Sequence, residues 1–203
     1  MIFIPFGNAY PLAVRQFGLN LLEHVVKTLG SSEGALFLEQ GLLEKLWNLA
    51  FGPLALDGER GESLAVKERI SIVLVQAAVR VWPQRWANLL DMLMNEIIPY
   101  VQSSNSVTGR QFLSAELALT TVRLLSEEIH SASSDESGWD EARRTELQDA
   151  LATVLPPFAD WLWRTLPTVA GRSRPDDPVL KSMIRAWASV VNWVNLNHET
   201  TPL

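Results

Sequence analysis

The feature that most constrains this chain is a helical hydrophobic period that stops and restarts several times along its length. Val14, Gly18, Leu21, Leu22, Val25 and Leu29 fall on one stripe of a first helix, with Arg15, Asn20, Glu23 and Lys27 opposite. Over residues 35–51 a second helix places Leu36, Leu43, Leu46, Trp47 and Ala50 on one side, and Gln40, Glu44 and Asn48, spaced by four, on the other. The Gly- and acid-rich stretch 52–62 then breaks the pattern. A third helix is predicted from an N-cap at Ser63 to Val81, with Val66, Ile70, Val73, Leu74, Ala77 and Val81 in register. Apolar and polar residues rarely alternate with the period of a half-buried strand, so the chain reads as all-α.

Proline and loop signals divide the rest. Trp82-Pro83 predicts a tight corner, with Pro83 at the first position of a fourth helix where its missing N–H costs nothing. Trp86, Leu89, Leu90, Leu93 and Ile97 carry that helix toward Pro99, and 102–106 is a polar linker. A fifth helix bears Leu113, Leu117, Leu124, Leu125 and Ile129, followed by a loop at 131–138 of low hydrophobicity. A long sixth segment over 139–166 is expected to kink or break at Pro156-Pro157, and 167–177 reads as a linker. Pro178 opens a last helix with Val179, Met183, Ala186, Val190 and Trp193 on one stripe.

The order is helix, turn, helix, linker. It predicts helical pairs at about 12–51, 63–100 and 108–166 and a last helix at 178–197, within one solenoid spanning 1–203. Two-helix units of roughly 40 to 47 residues are the signature of HEAT and armadillo repeats, so the expected fold is an α-α superhelix of HEAT type. A single pair leaves apolar surface bare, and stacking on its neighbours is what stabilises it. The eight tryptophans fit such packing, with an exposed docking site as the alternative for the pair Trp161 and Trp163.

Composition narrows the function. Hydrophobic residues make up 47% of 203, enough for a continuous core. A net charge of -6 argues against a surface built mainly to neutralise phosphates. The absence of cysteine excludes a disulfide framework and thiolate zinc sites, and fits the cytosol or nucleus. The opening MIFIPFGNAYP lacks a basic start and is interrupted by Pro5 and Gly7, so it makes a poor signal peptide. No apolar run approaches the roughly 18 residues of a membrane span, so no membrane insertion is expected.

His24, His130 and His198 are far apart and lack metal-ligand spacing, and phosphate-cradling Gly motifs and a Gly-x-Ser-x-Gly elbow are missing. No catalytic, cofactor-binding or metal-binding residue is therefore expected, and the chain does not read as an enzyme. Glu127-Glu128 beside His130 reads as a solvated helix end rather than a proton-handling cluster. Arg143-Arg144 and Arg172-Ser173-Arg174 read as solvated helix starts and loops, with phosphate contact as the alternative.

Three segments carry a family resemblance: VRQFGL at 14–19 continuing as LEHVVK at 22–27, VWPQRW at 81–86, and WASVVNWV at 187–194. Together they resemble the exportin branch of the importin-β (karyopherin) family. The second is similar to that branch's Trp-Pro-Gln-x-Trp-Pro turn, with Ala87 in place of the second proline, while 28–61 matches poorly. The resemblance implies a nuclear export receptor that shuttles between nucleus and cytoplasm. Its amino-terminal repeats would bind the GTP form of Ran, and its concave face would hold protein or structured RNA cargo for passage past nuclear pore proteins. GTP would enter only with Ran.

In that family the second helix of each pair lines the inside. Combined with helix phase, this makes Gln40, Glu44, Asn48, Arg85, Asn88, Asp91 and Asn95 the candidate Ran- or cargo-facing residues, with Glu44 and Asp91 suited to a basic surface on Ran. The resemblance also implies an N-terminal fragment, since 13 residues precede Val14 where an opening helical pair is expected. Uncapped ends predict self-association or low solubility. A reading of a different class is a HEAT scaffold unrelated to Ran, indifferent to the bound nucleotide.

Overall fold

The computed structural model describes residues 11–29, 40–52, 64–103, 107–131 and 140–199, and among these residues the regular structure is entirely helical. The helices are α1 (Leu12–Leu29), α2 (Gln40–Phe51), α3 (Leu64–Val81), α4 (Leu89–Gln102), α5 (Gly109–Ser131), α6 (Glu141–Arg172) and α7 (Pro178–Glu199). The N-cap expected at Ser63 and the loops expected at 53–62 and 132–138 lie outside the described residues, as do Leu36 and Trp139.

Two layers result. In the first, α1, α3, α5 and α7 lie side by side; in the second, α2, α4 and α6 each pack against the odd-numbered helix that follows. Polar pairs fix the direction of the first layer. Lys67 meets Glu116 at 2.5 Å and Gln76 meets Glu128 at 2.9 Å, so numbers rise together along α3 and α5 and the two run parallel. Arg69 to Glu23 at 2.9 Å ties α3 to α1, and Ser126 to Ser189 at 2.8 Å ties α5 to α7. Small side chains let these backbones approach: Ser71, Ala77 and Ala78 on α3, and Ser114, Ala115 and Ala118 on α5, are all buried. The Ser71 hydroxyl donates to the Leu117 carbonyl at 3.5 Å and accepts from Thr121 at 3.1 Å, which satisfies groups that burial cuts off from water.

Stacked helical pairs of HEAT type are thus the fold. Leu89, Leu93 and Ile97 of α4, Leu147, Leu151 and Leu162 of α6, and Val179, Met183 and Val190 of α7 are fully buried along single stripes. Burial of each such side chain contributes about 1.5–3 kcal/mol.

Three local expectations are corrected. First, α6 does not break at its prolines; it runs unbroken to Arg172 with Pro156, Pro157 and Pro167 inside it. All three lie on the exposed side, while Leu147, Leu151, Leu155, Leu162 and Val169 keep one buried stripe throughout. Second, Pro83 does not open the fourth helix: residues 82–88 form consecutive turns and α4 begins at Leu89. Third, α1 is rotated from its expected phase. Arg15, Gly18, Leu19, Leu22 and Val26 are buried, whereas Val14 and Leu21 are 43% and Phe17 is 70% exposed. The face turned to α3 is the covered one, held by Glu23 and by the Lys27 carbonyl.

A recurring device joins the helices end to end. The last carbonyls of a helix have no intrahelical donor and carry the negative end of its dipole. In four helices an arginine from a later helix supplies the donor. Arg80 of α3 donates to Lys27 of α1 at 3.3 Å, and Arg110 of α5 to Phe51 of α2 at 3.3 Å. Arg143 of α6 donates to Val79 of α3 at 2.9 Å and also to Trp82, and Arg172 of α6 donates to Tyr100 and Ser103 at the end of α4. Arg143 and Arg172, expected to be solvated or to hold phosphate, are thereby committed to the fold.

Candidate partner-binding face

The candidate residues sit on the second layer. Glu44 and Asn48 are exposed one turn apart on α2, opposite the buried Leu43, Leu46 and Ala50. Gln40 opens α2, and its side chain lies outside the described ones. The Asn48 carbonyl accepts from the Gly52 N–H at 2.8 Å. A Cβ at position 52 would collide with that carbonyl, which accounts for glycine there. Arg85 and Asn88 are exposed in the turns before α4 rather than on a helix, and Asn88 holds the N-cap position without a capping side-chain bond. Asp91 and Asn95 are exposed one turn apart on α4.

Aromatic packing brings the first two groups together. Trp47 of α2 lies 4.3 Å from Phe51 and meets Trp86 edge-on at 6.3 Å, which seats α2 beside the turns that lead into α4. Continuing along the layer, α4 and α6 stand apart over α5 and leave a groove of about 310 Å³. Leu90, Met94, Phe158 and Trp161 line it, and buried Val122 is its floor. Leu90, placed on the core stripe by helix phase, and Trp161, read as packing or as half of an exposed docking pair, are both half-buried. Met94 and Phe158 escaped notice because they belong to no stripe; they are seen only once two separate helices are placed side by side.

A second cleft of about 560 Å³ lies at the far ends of α4 and α6. There the Tyr100 hydroxyl donates to Asp177 at 2.9 Å, and the Arg172 guanidinium lies 5.3 Å from the centre of the Tyr100 ring. Burial, helped by the bond to Asp177, raises the Tyr100 pKa above its ordinary value, against opposing effects of Ser173 and Arg172. Burial lowers that of Arg80, against the pull of Glu128.

The acidic pair near the end of α5 is accounted for structurally. Glu127 is paired with Arg123 at 2.9 Å and Glu128 accepts from Gln76, while His24 and His130 are exposed. Among the described residues no group of three or more His, Asp or Glu is placed to hold a metal. No described helix is long and apolar enough to cross a membrane. Of the tryptophans, Trp82, Trp86 and Trp193 are buried, and Trp163 is 61% exposed with its ring stacked on Trp187 at 5.3 Å.

Residues 64–201, which comprise α3 to α7 of this stack, match the family described as Exportin 1-like protein. The chain belongs to the exportin 1-like family. It is also similar to mouse Exportin-5, at 25% identity over 92% of this chain and 15% of that protein. This exportin-like chain therefore spans about 15% of the length of the curated relative that it matches. No solved structure matches it. The family is one of nuclear export receptors rather than enzymes, and in this exportin-like chain the turn at Trp82-Pro83 joins α3 of the first layer to α4 of the second.

Proposed function

We propose that this chain is part of a nuclear export receptor that binds Ran-GTP and cargo, passes with its cargo through the nuclear pore by contact with pore proteins, and shuttles between nucleus and cytoplasm. The observation that carries the reading is the exportin 1-like match over α3 to α7. It is supported by a second layer whose outer side chains Glu44, Asn48, Asp91 and Asn95 are exposed and make no side-chain hydrogen bond or ion pair among the described residues. These residues supply contacts to Ran or to cargo, and the acidic Glu44 and Asp91 suit a basic protein surface. In this role the described residues carry out no chemistry, and GTP comes only with Ran. The mechanism is linkage: Ran-GTP and cargo favour the same curvature of the stack, so each tightens the binding of the other and hydrolysis releases both.

The test is capture of the chain on immobilised Ran loaded with a non-hydrolysable GTP analogue or with GDP. Capture by the GTP form alone is expected, and weakening by Glu44→Lys with Asp91→Lys places the contact on this face. Capture that ignores the nucleotide moves the chain to the class of Ran-independent HEAT scaffolds.

A further inference from the structure

The groove between α4 and α6 has a chemical character that the GTPase reading does not use. Its walls and floor are apolar: Leu90 and Met94 from α4, Val154 and Phe158 from α6, and buried Val122 from α5. The Phe158 and Trp161 rings stack at 6.1 Å and form one wall. Polar groups at the rim are acceptors. Asp91 contributes an exposed carboxylate, and among the described residues no Lys or Arg lines the space. Pro157 has no N–H, so the carbonyl of Thr153, which lines the groove from the exposed side of α6, lacks its helical donor. The Thr153 hydroxyl spends its proton on the Asp149 carbonyl at 3.1 Å.

We infer that this groove docks a short segment of a protein partner in which a large apolar side chain lies next to lysine or arginine. The volume of about 310 Å³ is at the lower end for ligand pockets, which suits side chains of a peptide rather than a folded surface. The apolar side chain covers Val122 and the Phe158 ring, while the cation and a neighbouring backbone N–H meet Asp91 and the freed Thr153 carbonyl. Nucleic acid fits poorly, because phosphates would face a carboxylate and a bare carbonyl with no described cation beside them.

The experiment uses the whole chain with labelled Leu, Val and Met methyl groups, so that Leu90, Met94, Val122, Val154 and Leu155 report on the groove. Four probes are titrated: a capped Phe-Leu-Lys-Arg peptide, the same peptide with Glu-Glu in place of Lys-Arg, the same with Ser-Ser in place of Phe-Leu, and oligouridine. The first is expected to shift the groove methyls and to bind more tightly than the second. Asp91→Asn is expected to weaken it about two- to fivefold, as befits an exposed charge. Asp91→Lys should reverse the preference between the first two peptides, and Phe158→Ala should weaken both. The inference is overturned if the peptides leave these methyls unmoved, if the basic and acidic peptides bind equally, or if oligouridine alone shifts them. Ran takes no part in these titrations, so this result and that of the nucleotide-dependent capture are independent.

Discussion

Replacing Arg143 by alanine tests whether the carbonyl-capping arginines hold the stack together. The guanidinium reaches from the first turn of α6 to the end of α3. It donates from Nε at 3.2 Å and Nη2 at 2.9 Å to Val79, and also to Trp82, Gln84 at 2.9 Å and Glu146 at 2.5 Å. Its side chain is 18% exposed, so water replaces these bonds only in part. The ion pair to Glu146 is local to α6 and worth about 0.5 kcal/mol. The bonds to the two carbonyls matter more: hydrogen bonds to a charged group contribute about 1.5–3 kcal/mol, and truncation leaves both acceptors unsatisfied. Arg143→Ala is therefore expected to cost about 2–3 kcal/mol, and Arg143→Lys about half of that, because an ammonium cannot reproduce the fork. The assay is hydrogen exchange of the last turn of α3 and of residues 82–88, together with urea unfolding. Arg144→Ala is the control, since the neighbouring Arg144 leaves its buried Nε without a partner. If Arg143→Ala and Arg144→Ala lose the same stability, and exchange at the end of α3 is unchanged, the capping argument is wrong.

Other consequences can be measured on the same chain. Leu93, fully buried in α4, should cost about 3–5 kcal/mol in urea unfolding when replaced by alanine. Lys67→Met should cost about 3 kcal/mol or more because it strands the buried Glu116 carboxylate, whereas Lys67→Met with Glu116→Leu should be close to neutral, a difference read by a double-mutant cycle. For Tyr100 the raised pKa means that the folded state favours the neutral phenol. Its contribution to stability is thus fully present below the ordinary tyrosine value and is lost as pH rises through the folded value. In a Tyr10→Phe background, tyrosinate absorbance should rise later than for free tyrosine, and Asp177→Asn should bring it earlier; titration at the ordinary position would contradict the burial argument.

Much of the fold is written in local pattern. Stripes such as Val66, Ile70, Val73, Leu74 and Ala77 specify a helix because side chains three and four apart share a face, and all five are buried. Pattern misled where two faces compete. On α1, Val14 and Leu21 look like core, yet the covered face contains Arg15 and Leu19, and nothing in a single helix says which neighbour will lie against it. Pattern also misled at Pro156 and Pro157, where the breaker rule assumes that lost backbone bonds must be avoided; on an exposed face water replaces them at small cost. Of the candidate binding face, Glu44, Asn48, Asp91 and Asn95 were legible from helix phase, since exposure follows once the core stripe is known. The groove was not legible, because its walls belong to helices about sixty residues apart in sequence and its shape depends on their spacing.

The arginine contacts bear on how binding at one place in such a stack is felt at another. Arg110 ties the start of α5 to the end of α2, and Arg172 ties the end of α6 to the end of α4. The Arg110 contact therefore crosses from the first layer to the second, and the Arg172 contact joins two neighbouring helices of the second layer. Rotating one pair against its neighbour leaves interdigitated leucines largely in contact, but it moves a donor fork away from a fixed carbonyl, where bond strength falls steeply with angle. The arginines accordingly resist changes of curvature more than they resist separation. A partner that bridges α2 and α4 shifts the ends of both helices relative to α5 and α6, and must either preserve these forks or offset their loss with its own contacts.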